Sequence, residues 1–152
     1  MSDQTPPLVS RSIHHAARVT VAFSLVYTST LVLQIVVKKT LLRKARKENK
    51  AFHRYSSANM RNADRLVTNL MEWSPVFLAP LWSLAMTDRL GGSTVTAAWA
   101  YVACRGAYVV LQVKHGVAED GNNVPLWAST FPAYGCLLYL LGKSVPLLWD
   151  VS

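Results

Sequence analysis

Arg65, Asn69 and Glu72 stand at i, i+4 and i+7 in a stretch whose continuation is apolar, with Pro75 and Phe77 just beyond. At about 100° per residue the three side chains project from one stripe of a helix, stacking a cation, an amide and an anion along about 10 Å. Such a stripe can hold a small zwitterion. The same residue types also suit a plainer role, with Arg65 as an interfacial anchor and Asn69 and Glu72 joining helices. The segment Leu66 to Met86, LVTNLMEWSPVFLAPLWSLAM, is about 21 residues long, close to the roughly 20 that cross a bilayer core. Glu72 is then an intramembrane carboxylate. An ionised acid at a helix centre costs about 2.5 to 3.5 kcal/mol, so it must face protein or water and have a partner. Arg105, a second charge inside an apolar segment, is the expected one.

These residues need helices to position them, and the apolar segments supply four. The pattern predicts an all-α membrane protein, a single domain over residues 1–152, with transmembrane helices at about 17–39, 66–87, 94–113 and 124–149. Small hydroxyl residues in the first span (Thr20, Ser24, Thr28, Thr30) suit close helix packing, and the helix should run a turn or two past Lys39. Pro75 and Pro80 predict a kink after Glu72 that opens space beside the carboxylate. DRLGGS at 88–93 makes a tight turn, so the second and third helices are antiparallel neighbours. Trp127 and Trp149 are placed as interfacial anchors at the two ends of the fourth span. Four spans put both termini on one side. The third loop, Lys114 to Asn123, shares the side of the first and can cover the site at Arg65.

Charge sets the orientation. Of sixteen Lys and Arg residues, ten fall between Lys38 and Arg65, within a chain of 152 residues, 51% hydrophobic content and net charge +8. A positive-inside bias accounts for them and puts the loops on the cytoplasmic or matrix-like side. A nucleic-acid face is excluded, because only Phe52 and Tyr55 interleave that basic run. Cys104 and Cys136 form no CxxC pair and read as small buried hydrophobes, and His14, His15, His53 and His115 have no ligand spacing, so no metal is expected. No cleavable signal is expected either, since Met1 to Pro7 is polar and the run from Val19 is long enough to span.

The string Arg65, Asn69, Glu72, Pro75, Phe77, Leu78 and Ala79, then Leu81 and Trp82, resembles the second helix of the MAPEG family. These are the membrane-associated proteins in eicosanoid and glutathione metabolism, among them leukotriene C4 synthase and the microsomal glutathione transferases. The resemblance runs from about Val19 to Leu148. It implies a homotrimer of four-helix bundles in the lipid bilayer, with glutathione as co-substrate bound between neighbouring subunits near the cytosolic face. Carried over by position, Arg65 would meet a glutathione carboxylate, Asn69 would hydrogen-bond the tripeptide and Glu72 would take its ammonium. Arg105 resembles the arginine of the family's third helix, and Tyr108 a tyrosine that contacts glutathione. Lys38, Lys39 and Arg43 lie where the family often has basic residues.

The departures matter as much. A glutathione thiol, with a pKa near about 8.5, needs a cation or donor against its sulfur to form the thiolate. The family uses an arginine just before the fourth helix, and this chain has no arginine after Arg105. Lys114 and His115 are the candidate replacements, although lysine lacks the planar fork of arginine. Gln112 stands at a second tyrosine position, Trp73 stands where many members have tyrosine, and the third loop is about three residues longer than the closest pattern. Two functions stand in front, ahead of a lipid-handling or regulatory membrane protein for which nothing in the sequence selects a ligand. One is a glutathione transferase or peroxidase acting on lipophilic electrophiles. The other is a non-catalytic accessory subunit of a larger membrane assembly, such as a respiratory complex. The endoplasmic reticulum suits the first and a mitochondrial membrane suits the second.

Overall fold

A computed structural model of the chain describes residues 10–53, 57–116 and 124–148. Among them the fold is entirely helical: α1 (Arg11–Lys47), α2 (Ala58–Met86), α3 (Ser93–His115) and α4 (Val124–Ser144), followed by a 3₁₀ turn at Val145–Leu148. The helix α1 packs chiefly on α2, and α3 on α4, while α1 also meets α3 and α2 meets α4. Among the described residues two helices, α1 and α3, are long and apolar enough by length and composition to cross a membrane. Two prolines, Pro75 and Pro80, lie inside α2, and Pro132 lies inside α4.

Each helix buries one stripe. In α1 it is Ala16, Val19 and Phe23; in α2 Leu66, Leu70, Phe77, Leu81 and Leu84; in α3 Ala98, Tyr101 and Val102; in α4 Ala133, Leu137 and Leu140. These spacings of three, four and seven are those of a helical face turned to a core. At the centre Phe77 stacks on Tyr101 with centroids 4.1 Å apart, and Phe23 packs on Phe77 at 5.3 Å. The opposite face of α1 is apolar too: Val21, Leu25, Val32, Ile35 and Val36 are all more than half exposed.

The helix α1 begins six residues ahead of the expected span, because Ser10 caps it. Its Oγ accepts the Ser12 N–H at 3.2 Å. Ser10 also donates to the Asp88 carboxylate, and Ser12 Oγ donates to the Leu90 carbonyl at 3.0 Å, fastening the start of α1 to the α2–α3 turn. At its other end α1 continues two turns past Lys39, where Lys44, Arg46 and Lys47 complement the helix dipole.

The helix α2 starts at Ala58, two turns before the apolar stretch, so Asn62 and Asp64 are helical rather than part of a loop. It continues through Pro75 and Pro80 without ending. In the α2–α3 turn the left-handed positions are Asp88 (φ 56°) and Gly92 (φ 50°), so an aspartate does one of the jobs expected of the glycine pair. The fourth helix stops at Ser144, short of the expected 149, since Pro146 offers no N–H to continue the ladder. Tyr55, Trp149 and the third loop from residue 117 onward lie outside the described residues.

Candidate functional site

The stripe predicted on α2 opens into a cleft of about 340 Å³. Arg65, Thr68, Asn69 and Glu72 form its α2 wall, Tyr108 of α3 stands across from them, and Leu126, Trp127 and Thr130 of α4 close it. Spacing explains the wall, because residues 65, 68, 69 and 72 fall within one helical stripe. Arg65 and Glu72 are exposed and Asn69 and Tyr108 are half-buried. Among the described residues neither Arg65 nor Glu72 makes an ion pair or a hydrogen bond. Both charges are therefore available to a ligand.

Arg105 does not pair with Glu72. It is 1% exposed, and its Nη1 donates to Asn69 Oδ1 at 3.2 Å. The reason is rotational. Arg105 continues the buried stripe of Ala98, Tyr101 and Val102, and Asn69 lies on the inner side of α2 while Glu72 points outward. The guanidinium carbon lies 5.1 Å from the Tyr101 ring centroid, 5.6 Å from Tyr134 and 5.7 Å from Trp73, a set of cation–π contacts. Its Nε and Nη2 are buried without hydrogen-bond partners. Arg105 thus stands behind Asn69 and does not line the cleft. With Oδ1 taken, Asn69 is left with Nδ2 as its free donor.

Trp73 and Tyr134, whose ring centroids are 4.7 Å apart, support this arginine and were missed as site residues. So were Thr68, Leu126, Trp127 and Thr130. The α2 threonine was findable, since it lies three residues after Arg65 and four before Glu72. The α4 residues were not, because sequence spacing within α2 does not reveal which face of α4 it meets. Trp127 is at once the expected end-of-helix aromatic and a wall of the cleft, packed edge-on against Phe131 at 5.4 Å.

Within one chain, Lys114 and His115 line a different cleft, between the ends of α1, α2 and α3, together with Gln112. Gln112, one turn beyond Tyr108, is buried, and its Nε2 donates to the Asn62 carbonyl at 3.1 Å. Lys38, Lys39 and Arg43 line neither cleft. Cys104 and Cys136 are free and only half-buried, at the margin of the core rather than inside it.

Of the five expected ligand-binding residues, four share one cleft and the fifth supports it, all on helices α2 and α3. A family model described as the MAPEG family matches residues 16–144, nearly the whole described chain. The chain belongs to the MAPEG family. No curated protein and no solved structure matches it. Membership makes this a membrane protein of a glutathione transferase-like family, and every residue that lines the α2–α3–α4 cleft falls inside the matched span.

Proposed function

We propose that the cleft between α2, α3 and α4 binds glutathione and that this MAPEG protein transfers it to lipophilic electrophiles. The observation that carries this reading is the gathering of Arg65, Asn69, Glu72 and Tyr108 in one cleft, with both charges unspent. The donor set suits the tripeptide: a guanidinium for a carboxylate, a carboxylate for the ammonium, and an amide N–H for a peptide carbonyl. In the transfer step the thiol gives its proton to water, the thiolate lone pair attacks an electrophilic carbon, and a carbon–sulfur bond forms as the leaving group departs with its bonding pair, or as a double bond opens and the carbanion so formed takes a proton from water. This chain's residues hold the tripeptide, and the exposed apolar faces beside the cleft admit a substrate dissolved in lipid.

All four helices span the bilayer in this proposal, with both termini on one side, and three copies assemble so that a neighbour covers each cleft. The membrane is that of the endoplasmic reticulum or of mitochondria.

A second reading, a non-catalytic accessory subunit, is favoured by one specific observation. Lys114 and His115, the candidates for the missing activating arginine, line the other cleft. Among the described residues, one chain then brings only Arg65 as a cation to the cleft. Calorimetry of glutathione binding, with the thiolate followed by ultraviolet difference absorbance near neutral pH, separates the two. Binding with thiolate formation establishes the transferase; binding without it, or none, favours the subunit.

A further inference from the structure

We propose that the second cleft, at the loop-side end of α1, α2 and α3, holds the headgroup of an anionic phospholipid that carries a hydroxyl donor. The cleft measures about 440 Å³ and is separate from the one assigned to glutathione. Its chemistry is graded. Leu33 and Val37 of α1 and Leu66 of α2 make an apolar wall, and Lys114 and His115 stand at the end of α3. Between them lies Gln112, 1% exposed, whose Nε2 is held by the Asn62 carbonyl while its Oε1 is buried without a partner.

That orphan acceptor narrows the ligand. A buried, unmatched carbonyl is unfavourable, and only a hydrogen-bond donor relieves it. A lone anion cannot. The exposed Lys114 adds a positive charge and His115 a ring nitrogen, which suit a phosphate ester. Among the described residues no acid lines the cleft, and Asp64 on the adjoining turn of α2 already accepts from Gln34 Nε2 at 2.7 Å.

Gly116 keeps the mouth open. It ends α3 at φ 71° with its N–H on the Gln112 carbonyl at 2.8 Å, and a Cβ there would press on Asn62 Nδ2 at 3.1 Å. The apolar wall continues on the outside of α1 through Val32, Ile35 and Val36, all more than half exposed, which gives acyl chains a path. This continuity selects a lipid over a soluble phosphate ester.

Native mass spectrometry of the full-length protein, delipidated in detergent, tests this with three lipids of the same acyl chains: phosphatidylglycerol, phosphatidylmethanol and phosphatidylcholine. Phosphatidylmethanol has the charge without the hydroxyl. The expected order of retention is phosphatidylglycerol, then phosphatidylmethanol, then phosphatidylcholine. Replacing Lys114 and His115 together by glutamine should lower phosphatidylglycerol binding by about fivefold or more. Gln112→Met should equalise phosphatidylglycerol and phosphatidylmethanol. Should that core variant aggregate, the exposed double variant carries the test. Retention that is equal for all three lipids, or unchanged in the double variant, overturns the proposal. Full competition by glycerol phosphate at the same concentration overturns it in favour of a soluble ligand.

Discussion

Arg105 is buried among three aromatic rings with two of its nitrogens unmatched, and its one hydrogen bond falls on the amide that lines the proposed glutathione cleft. Each unmatched buried donor is unfavourable by about 1 to 3 kcal/mol, so stability alone gives little reason for a guanidinium here. Orientation gives one. Holding Asn69 Oδ1 commits the opposite end of that amide to donate toward the ligand. Arg105→Lys keeps the charge and loses the fork, so glutathione affinity should fall about three- to tenfold although residue 105 does not touch the ligand. Calorimetry on Arg105→Lys, Asn69→Ala and the double variant checks the route. The two effects should be strongly non-additive, and full additivity would mean that Arg105 acts without Asn69. Glu72 is the contrasting case, a group expected to touch the ligand directly. Glu72→Gln should weaken glutathione binding by about 1.5 to 3 kcal/mol through loss of a charged hydrogen bond, and unchanged affinity would remove its assigned role.

The helices hold this geometry through two devices, a central aromatic contact and a tie at the start of α1. Phe77, fully buried against Tyr101 and Phe23, links α2 to α3 and α1. In lipid the transfer term of a core deletion is small, because the surroundings are as apolar as the side chain, and the lost packing remains. Phe77→Ala should therefore destabilise the fold by about 2 kcal/mol, below the roughly 3 to 5 of water-soluble cores, as measured by equilibrium unfolding in mixed micelles. The tie depends on charge. The hydrogen bond from Ser10, with the Ser12 hydroxyl dipole nearby, holds the Asp88 carboxyl below its ordinary value of 3.8. A lowered folded value means that the tie is present at neutral pH and is lost as pH falls through that lowered value. Amide protection in the first turn of α1, taken relative to the intrinsic exchange rate at each pH, should fall on acidification, and Asp88→Asn, which tolerates the left-handed backbone, should show the low protection already at neutral pH. Protection that does not change with pH would discount the carboxylate. Much of this element plan was legible: the apolar runs gave the helices and the spacing of Arg65, Asn69 and Glu72 gave one wall of the cleft. The choice of Asn69 over Glu72 by Arg105 was not, because it is set by the rotation of α3 against α2, which no local spacing encodes. The early start of α1 was signalled by Ser10, a cap residue that hydropathy alone passes over.

At the scale of the whole molecule, Arg65 and Glu72 pose the remaining problem. Both are exposed on the flank of a single chain, with Met71 more than half exposed beside Glu72. A carboxylate left facing hydrocarbon would be unfavourable by about 2.5 to 3.5 kcal/mol, and lipid beside the cleft would compete poorly with protein able to donate to it. Covering that flank with a second copy of the chain would remove the penalty and, in the proposed transfer, would shield the thiol from bulk solvent. The protein should therefore run as a homotrimer in mild detergent by native mass spectrometry, and Met71→Cys should place a label close to the neighbouring chain. Cross-linking of that variant in native membranes distinguishes the two functions. Trimers built from this chain alone support the transferase, whereas adducts chiefly to other membrane proteins support the accessory subunit. A monomer in both settings would leave Glu72 uncovered, and the site would then have to draw its counter-charge from the lipid headgroup region at the end of α2.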